Sequence, residues 1–127
     1  MKLLIFSILF FVGALLLISA SAHTFHDTRI TIISPKANAV FKDGQMVDIH
    51  FKLNCEEMLQ SIEYSITNQD EKILFGRSLS ITKKRDWEEK FAWKIPSNKP
   101  AVLTLFIKAT DVDGHSSSKI VQFNANF

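Results

Sequence analysis

The chain is 127 residues long, enough for one domain of ordinary size. Its 15 basic and 13 acidic residues leave a formal charge of +2, too weak a field to recruit nucleic acid or an anionic membrane surface. The single cysteine, Cys55, excludes an internal disulfide, so the apolar core alone must hold the fold, with Cys55 as a small buried hydrophobe within it.

In chain order, Lys2 is followed by an apolar run from Leu3 to Ile18 and then by Ala20-Ser21-Ala22. A charged start, an apolar stretch and a small-x-small ending together read as a secretory signal over residues 1–22. Cleavage after Ala22 leaves residues 23–127 as one mature domain, secreted or periplasmic, whose first residue is His23. Left uncut, the same run is long enough to anchor the protein in a membrane.

The rest of the chain is dominated by alternation of period two, the mark of strands with one buried and one wet face. A short strand is expected at Arg29–Ile33, ended by Ser34-Pro35. Val47, Ile49, Phe51 and Leu53 alternate with Asp48, His50 and Lys52. Asn54–Gln60 is expected to form a short helical turn. Ile62, Tyr64 and Ile66 alternate with Ser61, Glu63 and Ser65, and a short strand follows at Lys72–Phe75. Lys83-Lys84-Arg85 reads as a solvated hairpin end that protects a strand edge. Trp87, Phe91, Trp93 and Ile95 share parity, as do Leu103, Leu105, Ile107 and Ala109, and finally Val121, Phe123, Ala125 and Phe127. Turn residues separate these runs, among them Asp43-Gly44, Asn68-Gln69-Asp70, the stretch from Pro96 to Pro100 and the stretch from Asp111 to His115. About seven short strands without a helix predict an all-β, immunoglobulin-like antiparallel β-sandwich.

No catalytic motif stands out: the chain has no Gly-x-Ser-x-Gly elbow, no His-Glu-x-x-His helix and no phosphate-binding Gly-rich loop, so a non-catalytic protein is expected. The sharpest feature is Asp113-Gly114-His115. In extended backbone, residues two apart point the same way, so Asp113 and His115 can offer a carboxylate oxygen and an imidazole nitrogen to one ion. Immunoglobulin topology puts this last loop at the same end as the start of the first strand. His23 lies about six residues before that strand, a tether of up to ~20 Å. An amine, two imidazoles and a carboxylate form an N/O donor set suited to Cu(II). The same tripeptide also reads as a plain turn, with Gly114 at positive φ and Asp capping the loop.

Two resemblances follow from these residues. The run from Leu103 to Asp113-Gly114-His115, with Phe123 beyond it and Ser34-Pro35-Lys36-Ala37-Asn38-Ala39 near the start, resembles the periplasmic copper-resistance protein C family. That resemblance implies a metal site of His23, Asp113 and His115 holding copper(II). Ile107 stands where that family carries a Trp, and Ser116, Ser117 and Ser118 where it carries Pro or Gly. The Ile-x-Ser-Pro stretch, Phe91-Ala-Trp-Lys-Ile-Pro96 and the segment from Ala109 to Gly114 are similar to exported bacterial immunoglobulin-like or fibronectin-type modules. Those modules imply a binding, adhesion or accessory role without a cofactor, through a protein or glycan partner at the cell envelope and as a monomer. Asp111 and Asp113 offer too few oxygens for a Ca²⁺ site of 6–8 ligands. His26 is either a further ligand or solvated tail, and His50 falls on a wet parity. Phe106 does so too, where a patch with Phe75 or Val102 would mark a partner surface.

Overall fold

The computed structural model describes residues 28–96 and 101–126. The signal segment 1–22, its cut site and His23 lie outside the described residues. Among the described residues there are eight strands and no helix: β1 (Thr28–Ser34), β2 (Val40–Lys42), β3 (Met46–Cys55), β4 (Leu59–Thr67), β5 (Ile73–Ser80), β6 (Asp86–Lys94), β7 (Ala101–Asp111) and β8 (Ser116–Asn126). They form a three-stranded sheet of order β1-β3-β6 and a five-stranded sheet of order β2-β8-β7-β4-β5. The two sheets pack as a β-sandwich, and no described helix is long and apolar enough to cross a membrane.

The alternation read from the sequence is what fills the core. Val47, Ile49, Phe51, Leu53 and Cys55 point inward from β3, and Leu103, Leu105, Ile107 and Ala109 do so from β7. Ile62, Tyr64 and Ile66 of β4 and Phe123 and Ala125 of β8 complete the interior. Each buried aromatic or branched side chain of this kind stabilises the fold by about 1.5–3 kcal/mol relative to its exposed state. Cys55 is a buried free thiol, as expected, and accepts a hydrogen bond from Thr28 Oγ1 at 3.1 Å.

Four expectations are corrected. The strands number eight rather than seven because Val40–Lys42 forms β2, which pairs parallel with β8 (Val40↔Asn124 to Lys42↔Asn126), so the pairing is not wholly antiparallel. Asn54–Gln60 makes no helical turn. Leu59 already opens β4 opposite Asp111, and a bulge between Leu59 and Ser61 shifts the parity, so that Leu59 and Ile62 are both buried. Strand β8 begins at Ser116, not Val121, because Ser116, Ser117 and Ser118 pair with Thr110, Ala109 and Lys108 although they are polar. Lys83-Lys84-Arg85 is not a hairpin end: it joins β5 in one sheet to β6 in the other. Its carbonyls accept the N–H of Leu59 and of Cys55 at 2.8 and 2.9 Å, and Lys84 Nζ lies 5.2 Å above the Trp87 ring.

Strands β5 and β6 border the same flank of the sandwich, where Phe51, Tyr64, Phe75 and Phe91 pack with ring centroids 5.2–6.2 Å apart. Phe75 therefore faces inward and contributes nothing to an outer patch. Glu89 shares the inward parity of β6 and accepts the Tyr64 hydroxyl at 3.1 Å and the Trp87 indole N–H at 2.8 Å. Arg77, opposite Tyr64 in the β4–β5 register, reaches the same phenol. Burial, reinforced by the Glu89 carboxylate, pushes the Tyr64 hydroxyl above its ordinary value of 10.0.

Candidate functional site

The β7–β8 hairpin is built around Asp111. The core parity of β7 runs Leu103, Leu105, Ile107, Ala109 and then Asp111, so the carboxylate is carried into the interior and is fully buried. A buried carboxylate needs hydrogen-bond donors, and the turn supplies them. Asp111 Oδ1 accepts the N–H of Asp113 and of His115, each at 2.9 Å. Asp111 N–H donates to the His115 carbonyl at 2.9 Å, and Gly114 N–H to the Asp111 carbonyl at 3.0 Å. Gly114 takes φ +87°, the positive value expected of it.

This fold of the turn brings Asp111, Asp113 and His115 together. One ligand-type atom from each lies within 4.8 Å of the others, with Asp111 buried, His115 half-buried and Asp113 exposed. Asp113 and His115 are brought near each other by the turn and not by extended backbone, since residues 112–115 lie between the strands and Gly114 takes positive φ. Asp111 is the member the metal reading missed. Its signal was present: it continues the buried alternation of β7, where an acid is unexpected. His23 lies outside the described residues, but the end of the fold to which its tether leads is fixed. Thr28 N–H donates to Ser117 Oγ at 3.3 Å, so the start of β1 sits beside the start of β8.

The donor set fits a divalent transition ion in kind: two carboxylates and an imidazole are ordinary oxygen and nitrogen ligands. A buried carboxylate oxygen that accepts no hydrogen bond among the described residues, Asp111 Oδ2, lies 3.4 Å from His115 Nδ1. The ion would find three donors already gathered.

Two grooves lie elsewhere. One of about 470 Å³ crosses the outer face of the three-stranded sheet between Arg29, Lys52, Asn54, Asp86 and Glu88. Its groups are largely satisfied by one another: Asn54 donates to Asp86, and Glu88 Oε2 lies 2.8 Å from His50 Nε2 and 3.5 Å from Lys52 Nζ. His50 is therefore a half-buried, hydrogen-bonding residue rather than a plain exposed one, and its hydrogen bond holds the Glu88 carboxyl below its ordinary range. The other groove, about 340 Å³, lies on the outer face of the five-stranded sheet between Phe106, Ile73 and Gly76. Phe106 stands opposite Ile120 on one side and Ser65 on the other, with Gly76 beyond Ser65, and Glu63 and Arg77 also line the groove.

No protein-family model matches the chain, and no curated protein matches it in sequence. Its likenesses are structural. An engineered protein from the Northeast Structural Genomics Consortium aligns at TM-score 0.55 and 17% identity over 80% of this chain and 20% of its own. Spo0M, the sporulation control protein of Bacillus subtilis, aligns at TM-score 0.50 and 9% identity over 80% of this chain and 49% of its own. CopC from Methylosinus trichosporium OB3b aligns at TM-score 0.46 and 16% identity over 77% of this chain and 94% of its own, a fit too loose to carry an argument about the site. The chain thus spans about a fifth of the engineered protein and about half of Spo0M. At these identities the likeness is one of fold, a two-sheet β-sandwich.

Proposed function

We propose that this is an exported, non-catalytic, immunoglobulin-like domain that binds a divalent transition ion, Cu(II) above all, at its β7–β8 hairpin. Asp113 and His115 are the ligands that spacing selects, and His23 is the one the copper-resistance resemblance adds. The observation that carries the reading is the gathering of Asp111, Asp113 and His115 within 4.8 Å at one turn. The order β1-β3-β6 facing β2-β8-β7-β4-β5 supports the immunoglobulin-like assignment, and the Thr28–Ser117 hydrogen bond sets the start of the first strand beside the last hairpin. Export rests on the Lys2 to Ala22 pattern. Calorimetric titration of the processed protein with Cu(II) tests the proposal. One equivalent should bind, and His115→Gln should abolish that binding. Equal uptake by the wild type and the variant would place the ion elsewhere, and no uptake would end the metal reading.

A second reading is favoured by one separate observation. The cross-strand pair of Phe106 and Ile120, with Ile73 at 65% exposure, suits an adhesion or accessory role through a protein or glycan partner at the envelope. Retention of an envelope component by the wild type but not by Phe106→Asp would support it. Equal retention by both would remove this face from consideration.

A further inference from the structure

The two carboxylate oxygens of Asp111 have different surroundings. Oδ1 makes the turn, accepting two backbone N–H groups at 2.9 Å. Oδ2 takes no part in it: it is buried, it accepts no hydrogen bond among the described residues, and it faces His115 Nδ1 at 3.4 Å. An Asn at this position would offer the same acceptor to the same two N–H groups without burying a charge. The turn therefore does not account for the carboxylate. His115 Nδ1 faces Oδ2 at ion-pair distance, 3.4 Å, without closing to the roughly 2.7–2.9 Å of a charge-assisted hydrogen bond. Two protein ligands on one first-row ion, each at about 2.0–2.2 Å and subtending a right to tetrahedral angle, stand roughly 2.8–3.6 Å apart. The Asp111–His115 separation of 3.4 Å falls within that range.

We propose that Asp111 Oδ2 is itself a metal ligand, and that Asp111, Asp113 and His115 form a divalent-cation seat complete within the β7–β8 hairpin. This rests on the metal-binding reading and changes what holds the ion. The seat joins the end of β7 to the start of β8, and a free amine at His23 is not required. Two carboxylates and one imidazole select a first-row divalent ion such as Cu(II) or Zn(II). The oxygen count is too small for Ca²⁺.

The sandwich is complete within residues 28–126, whose two sheets enclose one core, so a chain without the leader keeps the fold. The test compares such a chain beginning at His23 with one carrying an extra Gly before His23, each titrated with Cu(II) and with Zn(II). The two should bind one equivalent with affinities within about threefold, and Asp111→Asn, which keeps the turn acceptor, should weaken binding by roughly tenfold or more. In the wild type, one equivalent of diamagnetic Zn(II) should shift the Asp111 side-chain carboxyl carbon and the His115 ring nitrogens in the NMR spectrum. That readout does not depend on how well a variant folds. Loss of binding on Gly addition would overturn the self-contained seat and leave a His23-dependent site standing. A shift of the His115 ring nitrogens with the Asp111 carboxyl carbon unmoved would overturn the ligand assignment alone. Absence of binding in every form would overturn both this inference and the function on which it rests.

Discussion

Tyr64 illustrates how a single polar atom is handled inside the sandwich. Its ring belongs to the core, and its hydroxyl is tied to Glu89, itself also bonded to the Trp87 indole. Burial and that carboxylate raise the phenol above its ordinary 10.0. A raised value favours the neutral form in the folded state. The associated stability is therefore fully present below pH 10 and is lost as pH rises through the folded-state value. Tyr64→Phe should cost about 1–2 kcal/mol near neutrality, the loss of one hydrogen bond to a charged acceptor. It should also flatten the decline in stability above pH 10, both read from urea midpoints between about pH 8 and pH 11.5. Parity already pointed to Glu89, since it fills the gap between Trp87 and Phe91 on the inward side of β6. Asp111 was legible in the same way, as the fifth member of the β7 alternation. What single-sequence reading lacks is the geometry that turns an acid on a buried parity into a hub of hydrogen bonds.

At the scale of elements, long alternating runs were readable and short or interrupted ones were not. Strands β3 and β7 declare themselves because four or five apolar residues recur at period two. Strand β2 has three residues, too few for a period, and is held against β8 by backbone bonds such as Asn124 N–H to the Ala39 carbonyl and by Phe41 packing edge-on against Phe123 with centroids 5.8 Å apart. The bulge in β4 broke the pattern at Leu59 and imitated a helical spacing. These features imply that β2 is held by packing rather than by propensity. Phe41→Ala should cost about 2 kcal/mol and speed hydrogen exchange at Asn124, while Tyr64 and Ile66 in β4 stay protected. Phe123→Ala, which removes a fully buried ring, should cost about 3–5 kcal/mol and release both regions together. Exchange at Asn124 unaltered by Phe41→Ala would show that the backbone pairing alone holds β2.

For the whole molecule, one apolar interior spans both sheets, and Cys55 sits at its margin with 3% of its surface exposed. With no second cysteine to close a loop, stability rests on cooperative burial. An aromatic disulfide reagent should leave Cys55 unmodified in native buffer and label it along the same urea curve that far-ultraviolet dichroism follows. Labelling well ahead of that curve would mean that the Thr28 end of β1 opens independently.

The flank between β5 and β6 carries one more consequence. Each sheet ends there in a strand with an unfilled row of backbone donors and acceptors. Near the middle of each stands a charged side chain, Arg77 in β5 and Glu89 in β6, and both reach Tyr64. A strand from another molecule that extended either sheet would have to seal one of these charges away from water. The groups that close the side of the sandwich thus also oppose edge-to-edge growth of its sheets.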